Sequence, residues 1–237
     1  MDSPPPLTRF TLILPAGGSS TRFGSNKLLA MLGGEPVIVR TLRAFLDHPL
    51  LAKVVIATAK PNLIRQACVD LLEEAERRGL PAMDFAPAGA TRAESVANAL
   101  AMAPQDVEWI AVHDAARPLV SRELIDATLA AAAEHGAASP ALPVTLTIKE
   151  TDRDTLPAKV IRTIPRRTLF ALQTPQIARR AALADALQRC PIPLSQVTDD
   201  LQLLELIGSE VWLIPGQERN LKLTTASDLA AAEGFLR

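Results

Sequence analysis

Over the first 135 residues, short apolar runs alternate with longer stretches of helical periodicity. Arg9 to Leu14 and Lys53 to Thr58 are dense in apolar and β-branched residues with no polar alternation, as in strands buried on both faces. Ala82 to Ala86 and Trp109 to His113 predict a third and a fourth strand. Between them, Pro36 opens a helix on which Val37, Ile38, Leu42, Phe45 and Leu46 recur at helical spacing, until His48-Pro49 stops it. Asn62 opens a long amphipathic helix through Ile64, Cys68, Leu71 and Leu72 to Gly79. An Ala-rich helix ends at Met102. Another runs from Ser121, with Glu123 and Asp126 near its start, to His135. Four strand–loop–helix units in succession predict an α/β fold built on a parallel sheet with right-handed crossovers.

The pattern changes after His135. Ala137 to Pro143 and Val144 to Lys149 are β-type runs, Glu150 to Ala158 is a polar tip, and Lys159 to Ile164 returns as a strand. This predicts a β-arm at about residues 140–164 whose unpaired edges take a partner, here a second copy of the chain. Leu169 to Leu172 is a short strand ending in Gln-Thr-Pro-Gln176, and Ala178 to Cys190 is a helix. Thr198-Asp199-Asp200 caps a helix to Ile207, Val211 to Ile214 and Asn220 to Leu223 are late strands, and Thr225 to Leu236 is the closing helix. No linker divides the chain, so the expectation is one domain over residues 9–237 behind a disordered leader, residues 1–8.

Composition changes this picture only by exclusion. A net charge of −1 leaves no global basic field for nucleic acid or an anionic membrane, so any anion site is local. Cys68 and Cys190 match neither a disulfide framework nor a metal motif, and three scattered histidines argue against zinc. No apolar run reaches the ~18 residues of a membrane span. The N-terminus lacks the charged-then-apolar order of a signal peptide, so a soluble, cytoplasmic protein is expected.

Candidate chemistry collects where strands end. The first strand runs into a loop of small residues, Ala16, Gly17, Gly18 and the serines after them, that carries Arg22 and Lys27. Backbone N–H groups in such a loop can approach an anion closely. Neither the dinucleotide fingerprint nor the P-loop pattern is present, so the loop reads as a phosphate cradle or as a plain turn. Ligands in open α/β sheets bind beyond the carboxyl ends of strands. Ala16 to Lys27, Pro87 to Ser95, Asp114 to Arg117 and Gln173 to Gln176 should therefore meet along one edge, bringing Arg22, Lys27, Arg92 and Arg117 together. Asp114 is either a Mg²⁺ ligand or an Asp that caps the next turn or pairs with Arg117. His113 is a structural strand-end residue, since no nucleophile partners it.

Six motifs in order carry a resemblance: Pro15-Ala-Gly-Gly with Arg22 and Lys27, Gly89-x-x-Arg92-x-x-Ser95, Val112-His-Asp-Ala-Ala-Arg-Pro118, Thr174-Pro-Gln176, Thr198-Asp199, and Asn220-x-Lys222-x-Thr224. The chain resembles, from about Thr11 to Phe235, the 2-C-methyl-D-erythritol 4-phosphate cytidylyltransferases of the non-mevalonate isoprenoid pathway. The resemblance implies a Rossmann-like three-layer nucleotidyltransferase fold with a mostly parallel sheet and a projecting β-arm. It also implies a homodimer that transfers CMP from CTP to methylerythritol phosphate with Mg²⁺, releasing pyrophosphate. Carried over, Arg22 and Lys27 hold the triphosphate, and Ala16, Gly17 and Gly18 offer backbone to the nucleotide. Gly89, Arg92 and Ser95 read cytosine and ribose, Asp114 holds Mg²⁺ with Ala115 beside it, and Lys222 stabilises charge at the α-phosphate. Arg117, Thr147, Arg166, Thr174 and Thr198 face the acceptor, Thr147 and Arg166 from positions on or beside the arm that can reach the partner subunit's site. In-line attack of one phosphate on another needs alignment and charge neutralisation but no protein nucleophile, which agrees with this inventory.

The chain departs from the family pattern at Ser19-Ser20-Thr21, at Asn26 before the lysine, at Ala90 and at Asp200. Two other readings stay open: a ribitol 5-phosphate cytidylyltransferase or related sugar-phosphate nucleotidyltransferase, and a non-catalytic nucleotide-binding regulator. Retention of Lys27, Asp114 and Lys222 together argues against the regulator.

Overall fold

The computed structural model describes residues 8–18 and 26–236. Strand β1 (Phe10–Pro15) has neighbours on both sides, and its side chains alternate between two cores. Phe10, Leu12 and Leu14 join one, Ile13 the other. After the 3₁₀ turn Lys27–Leu29, a small hairpin of β2 (Met31–Leu32) and β3 (Glu35–Pro36) leads into α1 (Val37–Leu46), whose predicted apolar face is fully buried. Strand β4 (Leu51–Thr58) pairs with β1 in parallel, and it too sends Val54 and Ile56 to one core and Val55 and Ala57 to the other. Burial on both faces is why these strands read as continuous apolar runs.

The long helix expected from Asn62 to Gly79 is two helices, α2 (Pro61–Ala67) and α3 (Val69–Arg78), divided at Cys68. Cys68 itself is buried, as its place on the apolar face predicted, and Gly79 ends α3 in the left-handed conformation at φ 63° that glycine takes most easily. Strand β5 (Met83–Pro87) closes one edge of the sheet against β4, followed by α4 (Arg92–Ala101). Strand β6 (Trp109–Val112) pairs with β1 on its other side, and α5 (Arg122–His135) starts at its Ser121 cap.

The second half builds the far side of the same sheet. Strand β7 (Ala137–Pro143), expected to overlap the base of the arm, is a main-sheet strand. The arm proper is the hairpin of β8 (Ile148–Thr151) and β9 (Val160–Ile164), which forms a separate two-stranded sheet. Strands β10 (Phe170–Leu172) and β11 (Gln176–Arg179) pair antiparallel with successive stretches of β7, and β11 also pairs with β6. Helices α6 (Arg180–Arg189) and α7 (Asp200–Leu206) follow. Strand β12 (Trp212–Pro215) runs parallel to β7, and α8 (Ala226–Gly234) ends the described chain behind a Thr225–Asp228 capping box. The fold is the expected three-layer α/β arrangement, mostly parallel, with β10 and β11 reversed.

Two further expectations are corrected. Residues 176–179, read partly as the start of a helix, form β11, because Gln176, Ile177 and Ala178 are buried where β6 and β7 need a strand between them. Tertiary pairing overrides the helical preference of an Ala- and Arg-rich segment. Asn220 to Leu223 is not a strand; it is an extended loop held by single bonds such as Leu223 N–H to the Ala116 carbonyl at 2.8 Å. Among the described residues, no helix is long and apolar enough to cross a membrane. Residues 1–7 of the expected leader lie outside the described residues.

Candidate active site

Two cavities open beyond the carboxyl ends of the parallel strands. The larger, of about 430 Å³, is lined by Pro15–Gly18 after β1, Gly89–Thr91 after β5, Arg92 and Ser95 on α4, Asp114–Ala116 after β6, and Lys27, Leu28 and Lys222. The smaller, of about 260 Å³, is lined by Arg117, Leu172–Thr174, Gln176, Thr198 and Asp199. Both share Arg92, Asp114 and Lys222. The structure brings the strand-end residues Ala16, Gly17, Gly18, Lys27, Gly89, Arg92, Ser95, Asp114 and Ala115 into one cavity, where Lys222, singled out by the resemblance alone, joins them; Arg117 and Thr174 line the next, with Thr198, also singled out by the resemblance. Arg22, and the altered centre Ser19 to Thr21, lie outside the described residues. Thr147 and Arg166 line neither cavity; both are exposed, and Arg166 binds the Thr145 carbonyl beside the arm.

The loop after β5 is held from within. Thr91 caps α4 by accepting from Glu94 N–H at 3.1 Å, while the Glu94 carboxylate accepts from Ala90 and Thr91 N–H at 2.6 and 3.1 Å. Arg92 and Ser95, expected in the loop, are the first turn of that helix. Ser95 Oγ accepts from Gly89 N–H at 3.0 Å and donates to the Thr91 carbonyl at 2.9 Å. All three loop N–H groups are thus used, and the acceptor oxygens are what the loop retains for a ligand. A Cβ on Gly89 would stand 2.2 Å from Glu94 Cβ and 2.9 Å from Ser95 N. Gly89→Ala is expected to cost about 1–3 kcal/mol of stability by overpacking. Urea denaturation of wild type and variant measures this.

Asp114 is the electrostatic centre. Lys222 Nζ lies 2.9 Å and Arg117 Nε 3.3 Å from its Oδ2, and Arg92 Nη2 lies 3.5 Å from its Oδ1. Burial pushes its carboxyl upward, but Arg92, Lys222 and Arg117 outweigh burial and hold it far below the usual carboxylate range. Asp114 thus pairs with Arg117, as one of its sequence readings expected, and it also lines the cavity. Arg117 also donates to the Asn220 carbonyl at 2.8 Å and the Leu172 carbonyl at 3.4 Å, so one N–H on each of its two terminal nitrogens stays available to a ligand in the smaller cavity.

His113 stays neutral and structural. Its Nε2–H donates to the Arg117 carbonyl at 3.1 Å, and Nδ1 accepts from Thr174 Oγ1 at 2.9 Å, which accepts in turn from Asp114 N–H at 3.0 Å. This chain locks the loop after β6 to the loop before β11. Full burial lowers the His113 pKa to about 4. Between about pH 4 and the ordinary histidine value of about 6.5, the unfolded chain binds this proton and the folded chain does not, so stability rises with pH. Acidification through that window is expected to remove up to about 3 kcal/mol on this account. Buried His48, also lowered by burial and held by Asp126 at 2.8 Å, adds in the same direction. Urea midpoints measured from pH 7 to 4 for wild type and His113→Gln check this; an equal pH slope in both would refute it.

Sequence reasoning passed over three residues here. Asp200 is buried and receives Arg92 Nη1 at 2.6 Å; burial raises its pKa, though Arg92 opposes this. The Thr198-Asp199-Asp200 triplet signalled only a cap, and Asp199 alone does the capping, accepting from Leu201 and Gln202 N–H. Gln173 and Asn220, both buried, bond across the second cavity's wall. Their sequence signals were the strand-end stretch that Gln173 opens and the motif that Asn220 opens.

Comparison with known proteins converges on one description. A family model described as IspD, 2-C-methyl-D-erythritol 4-phosphate cytidylyltransferase, matches residues 10–237. A relative of that name from Frankia casuarinae is 40% identical over 231 residues, covering 96% of this chain and 81% of the relative. A bifunctional enzyme IspD/IspF from Desulfotalea psychrophila is 37% identical, and this chain spans 56% of its length. The crystal structure of the Thermus thermophilus 2-C-methyl-D-erythritol 4-phosphate cytidylyltransferase superposes with a TM-score of 0.73 at 32% identity, covering 96% and 98% of the two chains. That from Francisella tularensis gives 0.79 at 27% identity, covering 96% and 99%.

Proposed function

The chain belongs to the 2-C-methyl-D-erythritol 4-phosphate cytidylyltransferase family, and from that premise we propose how its own residues carry the reaction. The reaction transfers CMP from CTP to 2-C-methyl-D-erythritol 4-phosphate, giving 4-diphosphocytidyl-2-C-methyl-D-erythritol and pyrophosphate, a step of isoprenoid precursor synthesis. The observation that carries the assignment of roles is the junction of two cavities at Asp114, Arg92 and Lys222. CTP occupies the larger cavity, with Lys27 and Arg22 on the triphosphate, and the acceptor occupies the smaller beside Thr174 and Thr198. The oxygens retained by the loop after β5 suit the exocyclic amine of cytosine, a hydrogen-bond donor. An acceptor phosphate oxygen attacks the α-phosphorus, the bond to the bridging oxygen breaks, and pyrophosphate leaves in line. Lys222 meets the charge that develops on the α-phosphate.

The donor set suits Mg²⁺. Asp114 is the carboxylate lining the larger cavity, and among the described residues no group of three or more His, Cys, Asp or Glu is gathered for a metal. An ion that keeps water and phosphate oxygens in its shell needs one or two carboxylates, not a cage. Asp114 would hold Mg²⁺, which supplies neutralisation of the phosphates there. The arm supports assembly as a homodimer: Leu146, Val160 and Ile161 are 75%, 49% and 60% exposed, too apolar a surface to favour water. In that assembly Thr147 and Arg166 serve the partner's acceptor cavity. Ile161→Glu is expected to give a monomer by light scattering with reduced turnover; a fully active monomer would overturn this role of the arm. Free Cys68 and Cys190 agree with a reducing, cytoplasmic setting.

Pyrophosphate release with CTP and Mg²⁺ tests the function, with methylerythritol phosphate and ribitol 5-phosphate as competing acceptors and ATP, GTP and UTP as controls. Turnover only with ribitol 5-phosphate would reassign the acceptor. Binding of CTP without turnover of any acceptor would favour the regulator.

A further inference from the structure

We propose that Gln173 is a positioning residue for Lys222, acting through the loop that carries the lysine. Lys222 sits in the extended segment between β12 and α8, which belongs to no helix or strand, so its place depends on individual anchors. Downstream, the anchor is Leu223 N–H on the Ala116 carbonyl. Upstream, it is the Gln173 side chain. Its Nε2 donates to the Gln217 and Asn220 carbonyls at 2.8 and 3.3 Å, and its Oε1 accepts from Gln217 N–H at 3.1 Å and Asn220 Nδ2 at 3.4 Å. A glutamine amide has two donors and an acceptor oxygen with two lone pairs, so this loop takes its whole capacity and leaves nothing for an acceptor molecule.

Gln173 is itself immobile. It is buried, its N–H donates to the Pro140 carbonyl at 2.8 Å, and its carbonyl accepts from Ser139 Oγ at 2.9 Å, both on β7. The amide therefore couples Lys222 to the rigid sheet. Asn220 extends the clamp by donating to the Thr174 carbonyl at 2.9 Å, and its own carbonyl receives Arg117. Gly216 completes it, because a Cβ there would stand 2.6 Å from Gln173 Oε1 and 3.0 Å from the Ala141 carbonyl. Asn220 Oδ1 and Gln217 Oε1 are buried without a hydrogen-bond partner, but the Gln173 amide is fully used, and its four bonds favour one arrangement of the loop. A displacement of about 1 Å at a reacting charge can cost a hundredfold in rate.

The proposal rests on the reading of Lys222 as the lysine that meets the α-phosphate charge, and the test separates the two. Pyrophosphate release and thermal melting are measured for wild type, Gln173→Met, Lys222→Ala and the double variant. Methionine keeps the length and volume of the side chain and removes all four bonds. Gln173→Met is expected to lower kcat about 10- to 100-fold with little change in either KM. In the Lys222→Ala background it should cost less than about twofold, since residues that act as one unit are not additive. An equal loss in both backgrounds, or a loss confined to the KM of the acceptor, would overturn the positioning role while leaving Lys222 in place. An unchanged kcat in Lys222→Ala would overturn the reading of Lys222 and the proposal with it. Should Gln173→Met fail to melt cooperatively, Gly216→Ala presses on the same contact from the other side and must show the same non-additivity.

Discussion

Lys222→Ala is expected to lower kcat for pyrophosphate release by about 10²–10³-fold, the usual cost of removing one preorganised group aimed at transition-state charge. Stability should hardly move. The Lys222 side chain is 41% exposed, and a half-exposed ion pair contributes about 0–1 kcal/mol. Asp114 also keeps two other cationic partners, Arg117 and Arg92, when the lysine is gone. The expected signature is thus a catalytic loss without a stability loss, with KM for CTP changed far less than kcat because Lys27 still lines the nucleotide cavity. Single-turnover kinetics beside thermal melting would show it. A variant that loses stability but turns over normally would make Lys222 a structural counter-ion to Asp114 and nothing more.

Asp114→Asn should do both kinds of damage. The amide keeps the shape but removes the negative charge that Arg92, Arg117 and Lys222 share, and Arg117 is buried. Removing one partner of a buried ion pair leaves the other uncompensated, at a cost of about 3 kcal/mol or more. Asp200 limits the loss by continuing to hold Arg92 at 2.6 Å. Turnover should fall by at least the ~10²-fold expected of Lys222→Ala, because the nucleotide cavity loses its carboxylate and its lysine loses its anchor. Increasing Mg²⁺ should not restore the rate. Urea midpoints and a Mg²⁺ titration of pyrophosphate release check this, and wild-type stability in Asp114→Asn would refute the central electrostatic role given to it.

These two residues behave differently because they sit differently, and only one half of that contrast could be read from residue order. The strand-end rule placed Asp114 and Lys27 on one edge from the apolar runs before them, since a parallel strand buried on both faces has a periodicity nothing else mimics. That edge also collected Gly17, Gly89 and Arg92. Lys222 joined it only through the resemblance. Its segment reads as a weak strand but is a loop, held by bonds that span 47 residues, Asn220 to Gln173, and 107 residues, Leu223 to Ala116.

The sequence by itself determined the layers, the parallel half of the sheet, the small-residue loops and the arm, because each follows from local periodicity or from glycine, proline and capping residues acting on near neighbours. Tertiary structure alone decided the rest. It set β11 between β6 and β7, turned Asp200 inward to hold Arg92, and bonded Arg117 to carbonyls of β10 and of the loop before α8. It left Thr147 and Arg166 outside both cavities described above. These are pairings between charges and amides far apart in the chain. A spacing rule cannot see them, because their energies depend on burial, and burial exists only once the sheet has formed.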